Sequence, residues 1–135
     1  MSDFVDRALA LWDGGTAAGD DALDRFREVY AEPVRVNGTV TPVADMVERA
    51  RAMAEAFADR RTVLHDVVEG DGFIAFAFDI HARHVGTWVG LSALVEPTGR
   101  EVVLRGMDII RLDGDGRAAE IWAVNDQSDL LSPPP

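Results

Sequence analysis

Hydrophobic residues along this chain change their spacing once, and that change restricts the fold more than any other feature. Up to residue 58 they recur every three or four positions. Phe4, Val5, Ala8, Leu9, Leu11 and Trp12 precede Gly14-Gly15; Leu23, Phe26, Val29 and Tyr30 precede Pro33; Val43, Met46, Val47, Ala50, Met53, Ala54 and Phe57 follow Thr41-Pro42. These are three amphipathic helices with their stop signals, the third opened by a Thr cap and a first-turn proline. From Arg61 onward the pattern alternates, in runs at 61–69, 73–84, 101–112 and 117–125. Gly70-Asp71-Gly72 joins the first two runs and Asp113-Gly114-Asp115-Gly116 the last two, both hairpin signals. Helices first and long strands afterwards predict an α+β fold: a curved antiparallel sheet, shaped as a cone-like α+β barrel, with three N-terminal helices packed on its concave face.

Composition narrows the chemistry. The 135 residues fit one domain, 1–131, with Ser132-Pro133-Pro134-Pro135 as a flexible tail. There is no Cys, so neither a disulfide nor a thiolate-bound metal is available. All 13 basic residues are Arg, which rules out a Schiff base on a lysine and a P-loop lysine. The formal charge of −11 argues against nucleic acid and anionic membranes as partners. No apolar run approaches the length of a membrane span and no basic segment precedes a hydrophobic one at the N-terminus, so a cytoplasmic location is expected. His81 and His84 are the nearest approach to a metal-ligand pair, but strand parity sends their rings to opposite faces, and neither a metal nor a cofactor is expected.

Strand parity also sorts the polar residues. Ile74, Phe76, Phe78, Ile80, Ala82 and His84 share the face that meets the helices, leaving Asp79, His81 and Arg83 outside. With a three-residue loop and Gly116 in the left-handed position, Asp113 pairs with Arg117 and Asp108 lies opposite Trp122. Glu120, Trp122, Val124 and Asp126 would then point inward with Gly106, Asp108 and Ile110. Val103, Met107, Ile109, Ile121 and Ala123 would point outward, and so much exposed apolar surface predicts a homodimer. Asp126 would fall on the order of 13 Å along the sheet from Asp108. His84 is expected at the same end as Asp126, which makes those two the leading catalytic pair.

Four segments in the second half carry a resemblance: His84-Val85-Gly86, Pro97-Thr98-Gly99-Arg100, Gly106-Met107-Asp108, and Trp122-Ala123-Val124-Asn125-Asp126. In this order they resemble the SnoaL-like polyketide cyclases, a branch of the nuclear-transport-factor-two-like superfamily, over about residues 20 to 131. The resemblance implies a metal-free and cofactor-free cyclase or isomerase of secondary metabolism. Such an enzyme would close a ring by intramolecular aldol condensation on a hydrophobic, carbonyl-bearing small molecule such as a polyketide intermediate. It implies Asp126 as the acid/base group. That role needs a carboxyl whose pKa an apolar cavity raises, and a donor for the developing enolate oxygen. His84 or Asn37 is the candidate donor, with Tyr30 as a further hydroxyl. Phe76, Phe78, Trp88 and Trp122 are candidate walls, and Asp108 is expected deeper in the pocket.

Plainer roles exist for the same residues. Asp126 can cap the turn at Gln127-Ser128, and His84 can be a strand-end histidine bonded to a loop. The apolar segment 91–96 before Pro97, longer than the family pattern, is expected to alter what enters the pocket. Two other functions compete: a non-catalytic ligand-binding or dimerisation module, and an epoxide hydrolase. The latter fits poorly, because Arg105 and Asp108 are three apart and face opposite ways. A closed, hydrophobic pocket with an isolated, buried Asp126 would favour an enzyme, and a pocket filled by its own side chains would favour the module.

Overall fold

The computed structural model describes residues 2–90 and 93–131; the expected tail at 132–135 and part of the 91–96 loop lie outside the described residues. The helical half forms α1 (Ser2–Leu11), α2 (Gly15–Ala18), α3 (Ala22–Val29) and α4 (Val43–Ala56). There are thus four helices among the described residues, not three. Gly14, at φ 110°, turns the chain so that residues 15–18 make one extra turn and bury Ala17. Helix α4 begins one residue later than its Thr-Pro signal suggests. Pro42 is its cap residue, Thr41 Oγ1 donates instead to the Thr39 carbonyl, and the Val43 amide donates to Glu32 Oε1 at 3.2 Å. A carboxylate from a distant strand therefore occupies the positive end of the helix.

The strands are β1 (Tyr30–Val36), β2 (Thr39–Thr41), β3 (Phe57–Gly70), β4 (Phe73–His84), β5 (Trp88–Gly90), β6 (Ala93–Val95), β7 (Glu101–Leu112) and β8 (Ala118–Asp126). Six of them form one curved sheet in the order β2-β1-β8-β7-β4-β3, and β5 pairs with β6 as a separate hairpin. The α+β class and the concave sheet under the helices are as expected. Two details differ. The sheet is open, with β2 and β3 as its edges, and β1 runs parallel to β8 while its other pairs are antiparallel.

The concave face carries the main core. Phe4, Val5, Ala8 and Leu11 of α1, Phe26 of α3 and Met46, Val47 and Ala50 of α4 pack against Ile74, Phe76, Ile110 and Ile121. A smaller core of Ala56, Phe57, Ala82, Val102, Leu104 and Leu130 closes the other end. Each of the larger of these side chains, Val, Leu, Ile, Phe or Met, contributes roughly 1.5–3 kcal/mol of transfer free energy.

One inserted residue changes which side chains of the last strand face that core. Asp113 N does donate to the Arg117 carbonyl, and Gly116 takes the left-handed φ of 79°, as the loop reading requires. Leu112 then pairs with Ala118 but Arg111 pairs with Glu120, so Ala119 is a bulge and everything beyond it is shifted by one. Asp108 faces Ala123, not Trp122. Ile121, Ala123 and Asn125 point inward, whereas Trp122, Val124 and Asp126 point outward opposite Ile109, Met107 and Arg105.

Candidate functional site

The curvature of the sheet leaves a cavity of about 800 Å³ between the concave face and helices α1 and α4. Its walls are mostly apolar: Leu9, Trp12, Met46, Met53, Leu64, Phe76, Phe78, Ile80, Trp88, Leu104 and Ile110. Gly106 gives Phe78 its place in this wall, because a Cβ there would lie 2.5 Å from the Phe78 ring. Into this space point Asp108 from β7, Tyr30 from the start of β1, Asn125 from β8 and Arg60 from β3.

Asp108 is the carboxyl that the cavity brings towards neutrality. Burial pushes its carboxyl up to about 6, and among the described residues nothing donates a hydrogen bond to it. Loss of hydration disfavours the charged form, and no neighbouring cation compensates. Close by, Trp12 Nε1 donates to Tyr30 Oη at 2.8 Å. The Tyr30 oxygen is thus used as an acceptor while its own proton is free to be donated. Burial raises the phenol above its ordinary value; the Trp12 bond opposes this and the Asp108 charge adds to it. A proton acceptor tuned towards neutrality therefore stands in the field of a neutral O–H donor.

The two residues expected as the catalytic pair are not brought together. Asp126 is exposed on the convex face, where its Oδ1 accepts from Ser128 Oγ at 2.6 Å and Ser128 N at 2.9 Å. Those bonds, the side-chain one first, hold its pKa below the ordinary carboxylate value. It closes a local turn onto Ser128, just ahead of the 3-10 turn Ser128–Leu130 whose cap residue is Gln127. His84 is on the concave face but 0% exposed and away from the cavity. Its ring stacks near Phe57, 5.5 Å between centroids, and Nδ1 accepts from Thr98 N at 3.3 Å with Thr98 Oγ1 at 3.2 Å. His84 thus anchors the Pro97-Thr98-Gly99 turn, and a sheet separates it from Asp126.

The expected binding residues divide. Tyr30, Phe76, Phe78, Trp88 and Asp108 line the cavity. Asn37 lines it too, but its amide is tied to β8: Ala123 N donates to Oδ1 at 2.8 Å and Nδ2 donates to the Ala123 carbonyl at 3.2 Å. Trp122 is 48% exposed on the convex face, reversed by the Ala119 bulge. That face also holds Asp79, His81 and Arg83. Asp79 pairs with His65 at 2.9 Å and Arg105 at 3.6 Å, and Arg83 separately with Asp59 at 3.2 Å, so Asp79 and Arg83 are engaged in ion pairs on this face.

Sequence reasoning missed Arg60. Its signal is conformational: Asp59 has φ 53°, and Asp59 and Arg60 together oppose Ala82, because Ala58 pairs with Arg83 and Arg61 with His81. This bulge turns the second residue inward. Among the described residues no group of three or more His, Asp or Glu side chains is arranged to hold a metal ion. No helix among them is long and apolar enough to cross a membrane.

Comparison with known proteins agrees with this architecture. A candidate SnoaL-like polyketide cyclase from Jannaschia sp. CCS1 superposes with a TM-score of 0.74 at 20% identity, covering 98% of this chain and 94% of that one. AclR of Streptomyces galilaeus, described as a candidate hydroxylase, gives 0.71 at 21% identity over 97% and 94%. A SnoaL-like polyketide cyclase from Agrobacterium tumefaciens gives 0.71 at 16% identity over 95% and 94%. At these identities the likeness is one of fold. No match is found among curated proteins. The sequence model for the SnoaL-like polyketide cyclase family matches residues 3–132, nearly the whole chain, and the protein belongs to that family.

Proposed function

We propose that the protein is an acid/base catalyst of secondary metabolism that needs no cofactor, and that it acts on a hydrophobic, carbonyl-bearing small molecule with Asp108, in place of Asp126, as its proton carrier. The observation that carries this reading is the Asp108 carboxyl, pushed up to about 6 and without a hydrogen-bond partner among the described residues, in a mostly apolar cavity. Its carboxylate takes a proton from carbon next to a carbonyl. Tyr30 O–H, kept neutral by burial, donates to the enolate oxygen that forms. The enolate carbon attacks a second carbonyl of the same molecule, and Asp108 returns its proton to the resulting alkoxide. The net change is one ring closure with no loss of atoms.

Asp108→Asn keeps the shape and removes the proton transfer, so turnover of a polyketide-type diketone ester should fall by about two to four orders of magnitude. Because the base form is required, wild-type kcat/KM should rise with pH through about 6 and level off above it. Undiminished turnover by a folded Asp108→Asn variant would reject the assignment. In that case a ligand-binding module of the same fold is the better reading. An epoxide hydrolase finds less support, because Arg105 turns away from Asp108 to meet Asp79.

The assembly we infer is a homodimer through the convex face. Met107, Ile109, Trp122 and Val124 lie side by side there at 65%, 47%, 48% and 73% exposure. Both charge signs flank them, in Asp79, His65 and Arg105, and such a surface can meet its own copy about a two-fold axis.

A further inference from the structure

Both Nη atoms of Arg60 are buried and make no hydrogen bond among the described residues, although the residue forms part of the cavity wall. A guanidinium carries five donors and keeps its charge, so two buried terminal nitrogens without an acceptor are a standing cost to the fold. Three features nevertheless hold it there. The bulge, with Asp59 in the left-handed region at φ 53°, aims the side chain inward. Arg83 fixes Asp59 from the outside at 3.2 Å. Gly14 makes room, since a Cβ at that position would stand 2.6 Å from Nη2. Asp13 contributes the neighbouring negative charge, but its Oδ1 accepts from Gly15 N at 3.2 Å and it makes no hydrogen bond to Arg60.

We propose that Arg60 is a recognition point for a carboxylate carried by the ligand. A planar fork of donors in an apolar wall matches a carboxylate's two oxygens, and the partner that the protein withholds would arrive with the ligand. The register separates this point from Asp108. Arg60 stands at the level of Ala82, which pairs with Val102, and Asp108 is six residues further along β7, about 20 Å of backbone. The ligand is therefore elongated, with its acid group near the α1–α2 turn and its reacting carbonyl towards the middle of the sheet.

The proposal deepens the catalytic reading by naming a substrate class, yet equilibrium binding tests it without turnover. Trp12 and Trp88 line the cavity and report occupancy by fluorescence. At pH 8, 2-naphthoate should bind the wild type about tenfold or more tightly than the isosteric 2-naphthamide. Arg60→Met should erase that preference and leave naphthamide affinity within about twofold. It should melt no lower than the wild type, because it removes an unpaired buried cation; should Met disturb the fold, Arg60→Gln serves the same comparison. Asp108→Asn should keep the preference, so failure of the catalytic assignment leaves this result intact. Equal binding of the two probes by the wild type, no binding of naphthoate up to millimolar concentration, or a preference that survives in the Arg60 variants would each overturn the proposal.

Discussion

Replacing Asp108 by Asn should make the protein more stable while making it inactive, and the stabilisation should depend on pH in a defined sense. In the unfolded chain this carboxyl ionises near 3.8; in the folded chain burial raises it to about 6. Between those values the folded state holds a proton that the unfolded state has lost, so stability falls as pH rises through this window and stays low above it. The difference corresponds to about 3 kcal/mol at pH 8, on the order of 10 °C in Tm for a chain of this size. Asn is neutral at every pH and nearly isosteric with the protonated acid. Urea unfolding of both proteins at pH 4 should therefore give similar stabilities, and at pH 8 the Asn variant should be the more stable by up to that amount. A stability difference independent of pH, or an Asn variant weaker than wild type at pH 8, would refute the claim that desolvation governs this carboxyl.

Other substitutions address the remaining features. Asp126→Asn should leave turnover and melting temperature nearly unchanged, since Asn closes such a turn as Asp does and the group is exposed; a large loss of turnover would restore Asp126 to the catalytic scheme. Gly106→Ala should cost about 1–3 kcal/mol in thermal unfolding and lower probe affinity, because its Cβ would displace the Phe78 ring into the cavity. Asp59→Val should cost about 1–2 kcal/mol by chemical denaturation, as a β-branched residue resists the left-handed conformation, and it should weaken naphthoate binding more than naphthamide. Val124→Glu should halve the mass measured by light scattering at micromolar concentration if the convex face joins two copies.

Periodicity carried most of the architecture. Strands β4 and β7 run over the residues that alternation marks, and the Gly116 loop closes as its glycine requires. The face of β8 was not legible, because Arg117-Ala118-Ala119-Glu120 offers no contrast between large apolar and polar side chains. With two alanines in sequence, either one can be the extra residue without changing any pattern. That single unread residue moved Trp122 and Asp126 outward and Asn125 inward. Likewise Asp59-Arg60-Arg61 has no hydrophobic member to fix its parity, so the bulge that aims Arg60 leaves no trace in the pattern. The motifs marked both Asp108 and Asp126, but only the register of β8 shows that the first faces the cavity and the second the convex side.

The clamp around His84 bears on how such a protein can change. The strand-end amide donates to the Arg100 carbonyl, its carbonyl accepts from Gly99 N, and its ring holds Thr98, while Val85 and Gly86 donate to the Ala56 carbonyl at the end of α4. Both ends of the intervening segment are thereby pinned to the scaffold independently of what lies between them. Lengthening a loop whose ends are already closed adds little entropy, about 0.6 kcal/mol per doubling. The β5–β6 hairpin, which brings Trp88 and Val89 to the cavity, is therefore a graft point, where a new entrance can be inherited or engineered without renegotiating the sheet beneath it.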